Sequence, residues 1–245
     1  MNSLVIFKEE IVEASSDTKL ARITGQHLRY LEELHDLEVG RKLKLNVLNG
    51  PIGYGEILNY TKSELTLKFS GNLAPIPLCP ISLIVAVPRP QTQKKIIHLA
   101  SSVGIKRLIF VRCANTEKSY LSSKSISVDG IFWEMIKGLE QSGQSLAPDI
   151  FVAPKFNPFV QDELPKLIQE NQTRILFDTT TSEKSLHDSA PSIEEAILAF
   201  GPELGWNDHE RVMFKSLGFI TALLGARILR SETAVALALG RYLKN

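Results

Sequence analysis

The chain has 245 residues, of which 44% are hydrophobic, and its 28 Lys and Arg against 27 Asp and Glu give a formal net charge of +1. That length accommodates one large or two modest domains with a real core. A pI of about 7.8 excludes the strongly basic footprint of a non-specific nucleic-acid binder. Cys79 and Cys113 stand alone without CxxC spacing, which excludes a disulfide framework and points to reduced thiols. His27, His35, His98, His187 and His209 show no ligand spacing with them, so no metal site is expected. The opening MNSLVIFKEE breaks into charge after its apolar residues, and no apolar run approaches a membrane span. The expectation is a cytoplasmic protein with no membrane and no metal.

In chain order, residues 24–37 read as a helix with Leu28, Leu31 and Leu34 on one side. Leu43, Leu45 and Val47 alternate with polar neighbours and run into Asn49-Gly50, a turn signal. Short strands follow at Tyr54–Leu58 and around Leu65, Leu67 and Phe69. These elements predict a small barrel-like β domain over residues 1–73. NLAPIPLCP (72–80), with its prolines, reads as the linker to a second domain over 80–245.

From Ile81 the pattern changes. ISLIVAV is a continuous apolar run of the kind buried on both faces. A helix is predicted over 91–103, with Ile96, Leu99, Ala100 and Val103 on one side and Gly104 ending it. LIFV (108–111) is the next strand. Residues 129–142 read as a helix with Ile131, Phe132, Met135, Ile136 and Leu139 as its apolar face. Further strands at 149–153, 174–177 and 197–200, with a helix around 164–168, complete an alternation that implies a mainly parallel sheet covered by helices. Ligands in such sheets sit beyond the carboxyl ends of the strands, where Gly201-Pro202-Glu203 falls. Neither GxGxxG with a downstream acid nor GxxxxGK[ST] occurs, so nicotinamide and P-loop readings lack support.

The last fifth is the most informative. Asn207, with Glu210 three residues on, makes a capping-box pattern. Leu223 to Leu243 reads as a glycine-containing apolar loop entering a helix capped by Ser231. Arg227 and Arg230 precede that helix, where the dipole is already positive. Two cations there call for an anionic ligand or an interface salt bridge. Ala234 to Leu239 is apolar all round, which suits burial on two sides, by a second subunit or within the monomer.

GPELGW followed by LGARILRSETAVALAL is similar to the signature of the bacterial small-subunit ribosomal RNA uridine-N3 methyltransferases, S-adenosyl-L-methionine-dependent enzymes of the SPOUT class. The resemblance implies an α/β fold: a SPOUT-type parallel sheet with a C-terminal trefoil knot, preceded by a PUA-like β-barrel domain that contacts RNA. It implies a homodimer acting on ribosomal RNA or the assembled small subunit. It also implies a cofactor bound bent between backbone loops, here Leu176 and Phe177, Gly201, Pro202, Glu203, Leu204 and Gly205, and Leu223, Leu224, Gly225, Ile228 and Leu229. Arg227 and Arg230, with Ser231 and Glu232, would hold the nucleotide or orient its base.

The chain departs from that pattern at defined places. Leu204 stands where the family carries glycine, and a positive φ there would strain a leucine. Asp36 replaces an arginine of the β domain, with Arg41, Lys42 and Lys44 nearby as substitutes. Ser102 and Gln144 replace a glutamate and an arginine, Leu99 replaces a lysine, and Lys118 replaces an arginine. Two other readings therefore stand beside the first: a non-catalytic RNA- or ribosome-binding homologue, and a SPOUT methyltransferase with another RNA target.

Overall fold

The computed structural model describes residues 3–14, 19–179 and 195–242. The chain forms two compact units: Met1–Pro77 with Ser101–Gly104 and Met135–Ala147, and Leu78–Ala100 with Ile105–Glu134 and Pro148–Asn245.

The first unit holds β1 (Leu4–Ile6), β2 (Ile11–Ala14), β3 (Lys19–Thr24), α1 (Gly25–Leu34), β4 (Lys42–Val47), β5 (Ile52–Tyr60) and β6 (Glu64–Leu73). Its sheet runs in the order β1-β4-β5-β6-β3-β2, with β1 parallel to β4 and every other pair antiparallel. Leu65 and Leu67 face Ile23 and Ala21 across β6 and β3, and all four are buried, so the alternation seen in the sequence is a core face. Asn49 adopts φ 53, as the Asn-Gly turn between β4 and β5 requires. Helix α1 contains all three leucines but stops at Leu34, short of the expected end at residue 37, because His35 is already extended and only its N–H returns to the Leu31 carbonyl (2.8 Å). The carboxylate of Glu140 is fully buried here. It accepts from the Val5 N–H (3.1 Å) and the Tyr30 hydroxyl (2.9 Å), with His35 Nε2 at 3.4 Å. Glu140 is thus a structural pin of the first unit.

The second unit contains β7 (Cys79–Ala86), α2 (Pro90–Val103), β8 (Ile105–Val111), α3 (Val128–Ser142), β9 (Asp149–Ala153), β10 (Thr173–Phe177), β11 (Ala196–Phe200), α4 (Asp208–Ser216), β12 (Ile220–Ala222) and α5 (Ser231–Tyr242), the ends of α2 and α3 excepted. All six strands are parallel, in the order β12-β10-β11-β7-β8-β9. The apolar run from Ile81 to Ala86 is buried throughout, as a strand covered on both faces must be. One face packs Ile84, Ile109, Leu176 and Ala199 against Phe156, Phe159, Phe214 and Trp206, and α5 packs on β11. The three-residue β12 was not legible in the sequence; it extends the sheet beyond β10.

Two side chains fix the loop after β11. The Trp206 indole N–H donates to the Phe177 carbonyl (3.0 Å). Glu210, buried at 2% exposure, accepts from the Asn207 N–H (3.0 Å) and the Ala114 N–H (2.8 Å), while Asn207 Oδ1 accepts from the Glu210 N–H (2.8 Å). The capping box read from the sequence therefore also holds a distant backbone segment. Among the described residues, no helix is long and apolar enough to cross a membrane, and no group of three His, Cys, Asp or Glu is arranged to hold a metal.

Glu210→Ala strands two part-buried backbone donors and removes half of the capping box. It is expected to cost about 2–3 kcal/mol, read as a fall in the denaturation midpoint of the second unit.

Candidate functional site

Parallel pairing sets β10 between β11 and β12, with Phe177 opposite both Phe200 and Ala222. The three strands end at the same level, so the loops that follow them converge. They enclose a cavity of about 350 Å³, walled by residues 177–179, 200–206 with the exception of Leu204, 222–231 with the exception of Ala226, and Ala234. That volume lies in the range of small-ligand sites.

The wall brings together most of the residues singled out by resemblance: Phe177, Gly201, Pro202, Glu203, Gly205, Leu223, Leu224, Gly225, Arg227, Ile228, Leu229 and Arg230. Leu176, Leu204 and Glu232 lie outside it. Leu176 is fully buried in the core, because adjacent strand residues face opposite sides of a sheet. Leu204 is 81% exposed. The expected strain at Leu204 is absent: Asn49 is the positive-φ non-glycine residue among those described, and the left-handed position of this loop is Gly205, at φ 74. The loop turns one residue later than the family pattern suggests, so leucine is tolerated. Gly201 is needed for a different reason, since a Cβ there would come within 3.0 Å of the Trp206 indole.

The cavity also includes residues the sequence reading missed: Asp178, Thr179, Phe200, Trp206, Ala222 and Ala234. Asp178 and Thr179 follow directly on the strand-ending ILF, so the rule that ligands gather at carboxyl strand ends could have found them. Asp178 is buried, and its Oδ2 accepts from Arg211 Nε at 2.5 Å; Arg211 Nη1 also donates to Asp208 Oδ1 at 2.9 Å. The Asp178 carboxylate beside it raises the Arg211 guanidinium above its ordinary pKa.

Helix α5 begins at Ser231, and the Ala234 N–H bonds to the Arg230 carbonyl (2.9 Å), so Arg230 itself occupies the boundary position given to Ser231 by the sequence. Both Arg227 and Arg230 are exposed at the cavity rim, leaving their guanidinium groups accessible to an anion. Glu232 faces elsewhere, accepting from Lys95 Nζ at 3.0 Å. Its carboxyl is held below the usual range by its own backbone N–H at the helix start, then by Lys95.

Near the cavity mouth, Asn115 Nδ2 donates to the Gly205 carbonyl (3.1 Å), and Arg89 Nε lies 3.9 Å from Glu203 Oε1. Burial, then the Glu210 carboxylate, pushes the Cys113 thiol far up, so it stays protonated and cannot serve as a nucleophile.

The first unit has a cavity of its own, about 370 Å³, with Arg41, Lys42, Lys44, His35 and Tyr54 in its wall and, among the described residues, Asp36 as the single acid there. Lys44 pairs directly with Tyr54 across β4 and β5; the Tyr54 ring is exposed, and the Lys44 ammonium lies against Gly143. Arg41 Nη1 donates to the Asp36 carbonyl and lies 3.8 Å from the Asp36 carboxylate, both side chains well exposed.

Residues 74–243 match the sequence model of a family described as RNA methyltransferase domain. The chain is similar to the ribosomal RNA small subunit methyltransferase E of Treponema pallidum, at 27% identity over 246 residues, spanning 100% of this chain and 91% of that protein. Its fold is similar to that of the ribosomal RNA small subunit methyltransferase E of Neisseria gonorrhoeae bound to S-adenosyl methionine, with TM-score 0.75, 19% identity and coverage of 98% and 97% of the two chains. A methyltransferase of Legionella pneumophila in complex with SAM gives TM-score 0.78 at 18% identity, covering 99% of this chain and 97% of that one.

Gly205→Ala is expected to cost about 1 kcal/mol, and Leu204→Gly to stabilise nothing, because only the former position needs the left-handed backbone; paired thermal melts check this. Glu232→Gln should lower stability by roughly 0.5–1 kcal/mol at neutral pH. The carboxyl titrates below its ordinary 4.5 when folded, so its contribution is present above that value and lost as pH falls through the folded one. The two proteins should converge in stability once the pH has fallen below that folded-state value.

Proposed function

The chain belongs to the RNA methyltransferase domain family, whose model spans residues 74–243, and on that footing we propose that it methylates N3 of a uridine in small-subunit ribosomal RNA, using S-adenosylmethionine. The carrying observation is the meeting of three strand-end loops in one cavity, with two exposed arginines on its rim. The fit to the cofactor is chemical. Phe177, Phe200, Ala222 and Leu229 offer apolar walls, and the glycine-bearing loops present backbone groups that a ligand can approach closely. The bound cofactor supplies an electrophilic methyl group on a sulfonium. What the chain supplies is placement, because aligning the methyl carbon with the attacking nitrogen accounts for most of such a rate enhancement.

Arg227 and Arg230 would hold the phosphate beside the target nucleotide or steer its base. Arg230 carries more of this, since it stands at the start of α5, where the helix dipole adds to its field. Uracil N3 must lose a proton at or before attack, and both guanidinium groups favour the resulting anion electrostatically.

Residues 1–73 would serve as a PUA-like barrel that contacts RNA, with 80–245 as the catalytic SPOUT domain. The cations Arg41, Lys42 and Lys44 beside the exposed ring of Tyr54 support an RNA contact, because phosphate neutralisation and base stacking need those groups together.

The trefoil knot belongs to the same proposal. The chain leaves β12 beside β10 and returns to pack α5 on β11, so the segment 223–230 crosses the end of β10. Residues 180–194, between β10 and β11, lie outside the described residues. A homodimer is supported by α5, which buries Val235, Ala238 and Leu239 on one side and exposes Leu237 at 54% on another. The protein would then act in the cytoplasm on ribosomal RNA or the assembled subunit. Leu204, which lent weight to a non-catalytic homologue, lies outside the cavity and unstrained.

Arg230→Ala should reduce methyl incorporation into small-subunit RNA by about 100-fold or more while leaving the melting temperature unchanged. Turnover at the parent rate would remove Arg230 from the site.

A further inference from the structure

We propose that the first unit's cavity is a phosphate site whose occupation adds a proton to His35, a reading that deepens the RNA contact proposed for that unit and rests partly on it. The wall carries Arg41, Lys42 and Lys44 against Asp36, so among the described residues three cations meet one acid. Arg41 is partly engaged by Asp36, the Lys44 ammonium lies against Gly143, and Lys42 is exposed. A surplus of cations selects an anion, and phosphate is the anion an RNA presents. His35 gives that surplus a built site. Its side chain belongs to the wall and is only 9% exposed. Nε2 faces the fully buried Glu140 carboxylate at 3.4 Å. That carboxylate already accepts from the Val5 N–H and the Tyr30 hydroxyl, so it acts as an acceptor and Nε2 is the ring nitrogen that carries hydrogen. Among the described residues Nδ1 has no hydrogen-bond partner, and it is not one of the side-chain atoms sealed from solvent in that condition. It opens on the cavity.

The ring then has two states. Neutral, with hydrogen on Nε2, it offers Nδ1 only as an acceptor, which a phosphate oxygen cannot use. Protonated, it donates from both nitrogens. The surrounding charges pull in opposite directions. Glu140 behind the ring and Asp36 beside it favour the proton, while Arg41, Lys42 and Lys44 oppose it; Tyr30 and Tyr54 are the remaining titratable side chains there. A phosphate entering the cavity offsets the cations and accepts from Nδ1, so binding and protonation favour each other. The proton comes from solvent, and no covalent bond in the ligand forms or breaks. A purely structural His35–Glu140 contact would hold the fold without changing its protonation when a ligand arrives.

The experiment is proton–nitrogen NMR of the imidazole rings in the full chain at neutral pH, titrated with a uridine trinucleotide, with inorganic phosphate and with uridine nucleoside. Replacing each of the five histidines in turn assigns the rings, and His35 follows by elimination if His35→Gln fails to fold. In the free protein the hydrogen is expected on Nε2. Saturation with the trinucleotide should add a second one on Nδ1, and the nucleoside should add none. His35→Gln should weaken trinucleotide binding roughly 10-fold, the usual effect of losing a hydrogen bond between charged groups. Protonation by inorganic phosphate but not by the trinucleotide keeps the phosphate site and overturns the RNA contact. A trinucleotide that perturbs the Tyr54 ring and leaves His35 unchanged overturns the site and leaves the RNA contact standing. Hydrogen on Nδ1 in the free protein, or an equal response to the nucleoside, also overturns the site. No response of either ring to any of the three compounds overturns both.

Discussion

The second unit depends on one constraint: β10 is paired in parallel, in register, on both sides. Phe177 lies opposite Phe200 in β11 and opposite Ala222 in β12, so three carboxyl ends lie side by side at spacings of roughly 4.8 Å. Parallel strands cannot be joined by hairpins, and each connection must return the chain to the opposite end of the sheet. All three exits are thereby forced onto one edge. A cavity there follows from topology before any side chain is specified.

What makes the cavity a site with definite walls is a small set of buried polar anchors. Trp206 ties the loop after β11 to the Phe177 carbonyl, Glu210 ties the start of α4 to Ala114, and Arg211 ties α4 to Asp178. Each satisfies groups that would be costly to leave unpaired in a buried setting. Together they hold a glycine-containing loop without asking the loop itself for regular structure. The rim is left to Glu203, Arg227 and Arg230, exposed and therefore accessible to a charged substrate.

Charge is distributed accordingly. A chain with a net charge of +1 has no general attraction for nucleic acid, yet cations gather in two places, at the cavity rim and in the wall of the first unit's cavity. Local clusters of this kind favour contact at chosen phosphates over non-specific coating of the polymer. Departures from the family pattern read differently in this light. Gln144 uses its side-chain oxygen to accept from the Ile76 N–H (3.1 Å), and Ser102 donates to the Gly138 carbonyl (3.1 Å), so both have become part of local packing. Asp36 pairs with Arg41 in the rim of the first unit's cavity.

Much was legible in the residues themselves. The two-sided apolar run at 81–86 could only be a covered strand, the Asn207–Glu210 spacing could only be a cap, and the alternation at Leu65, Leu67 and Phe69 fixed a core face, because burial periodicity and local hydrogen bonding act over a few residues. Three things were decided by the tertiary structure alone. The three-residue β12 carries too little pattern to be seen without its partner. The buried carboxylates of Glu140 and Asp178 look like ordinary surface acids until residues over a hundred positions away, or one turn into α4, arrive to receive them. The 201–206 loop puts Gly205 rather than Leu204 in the left-handed position, a choice between neighbouring positions that shows only once the loop is held by the Trp206 and Glu210 anchors. Local forces wrote the elements into the sequence. Strand order and burial, which depend on contacts remote in the chain, chose which of its side chains would face the cavity.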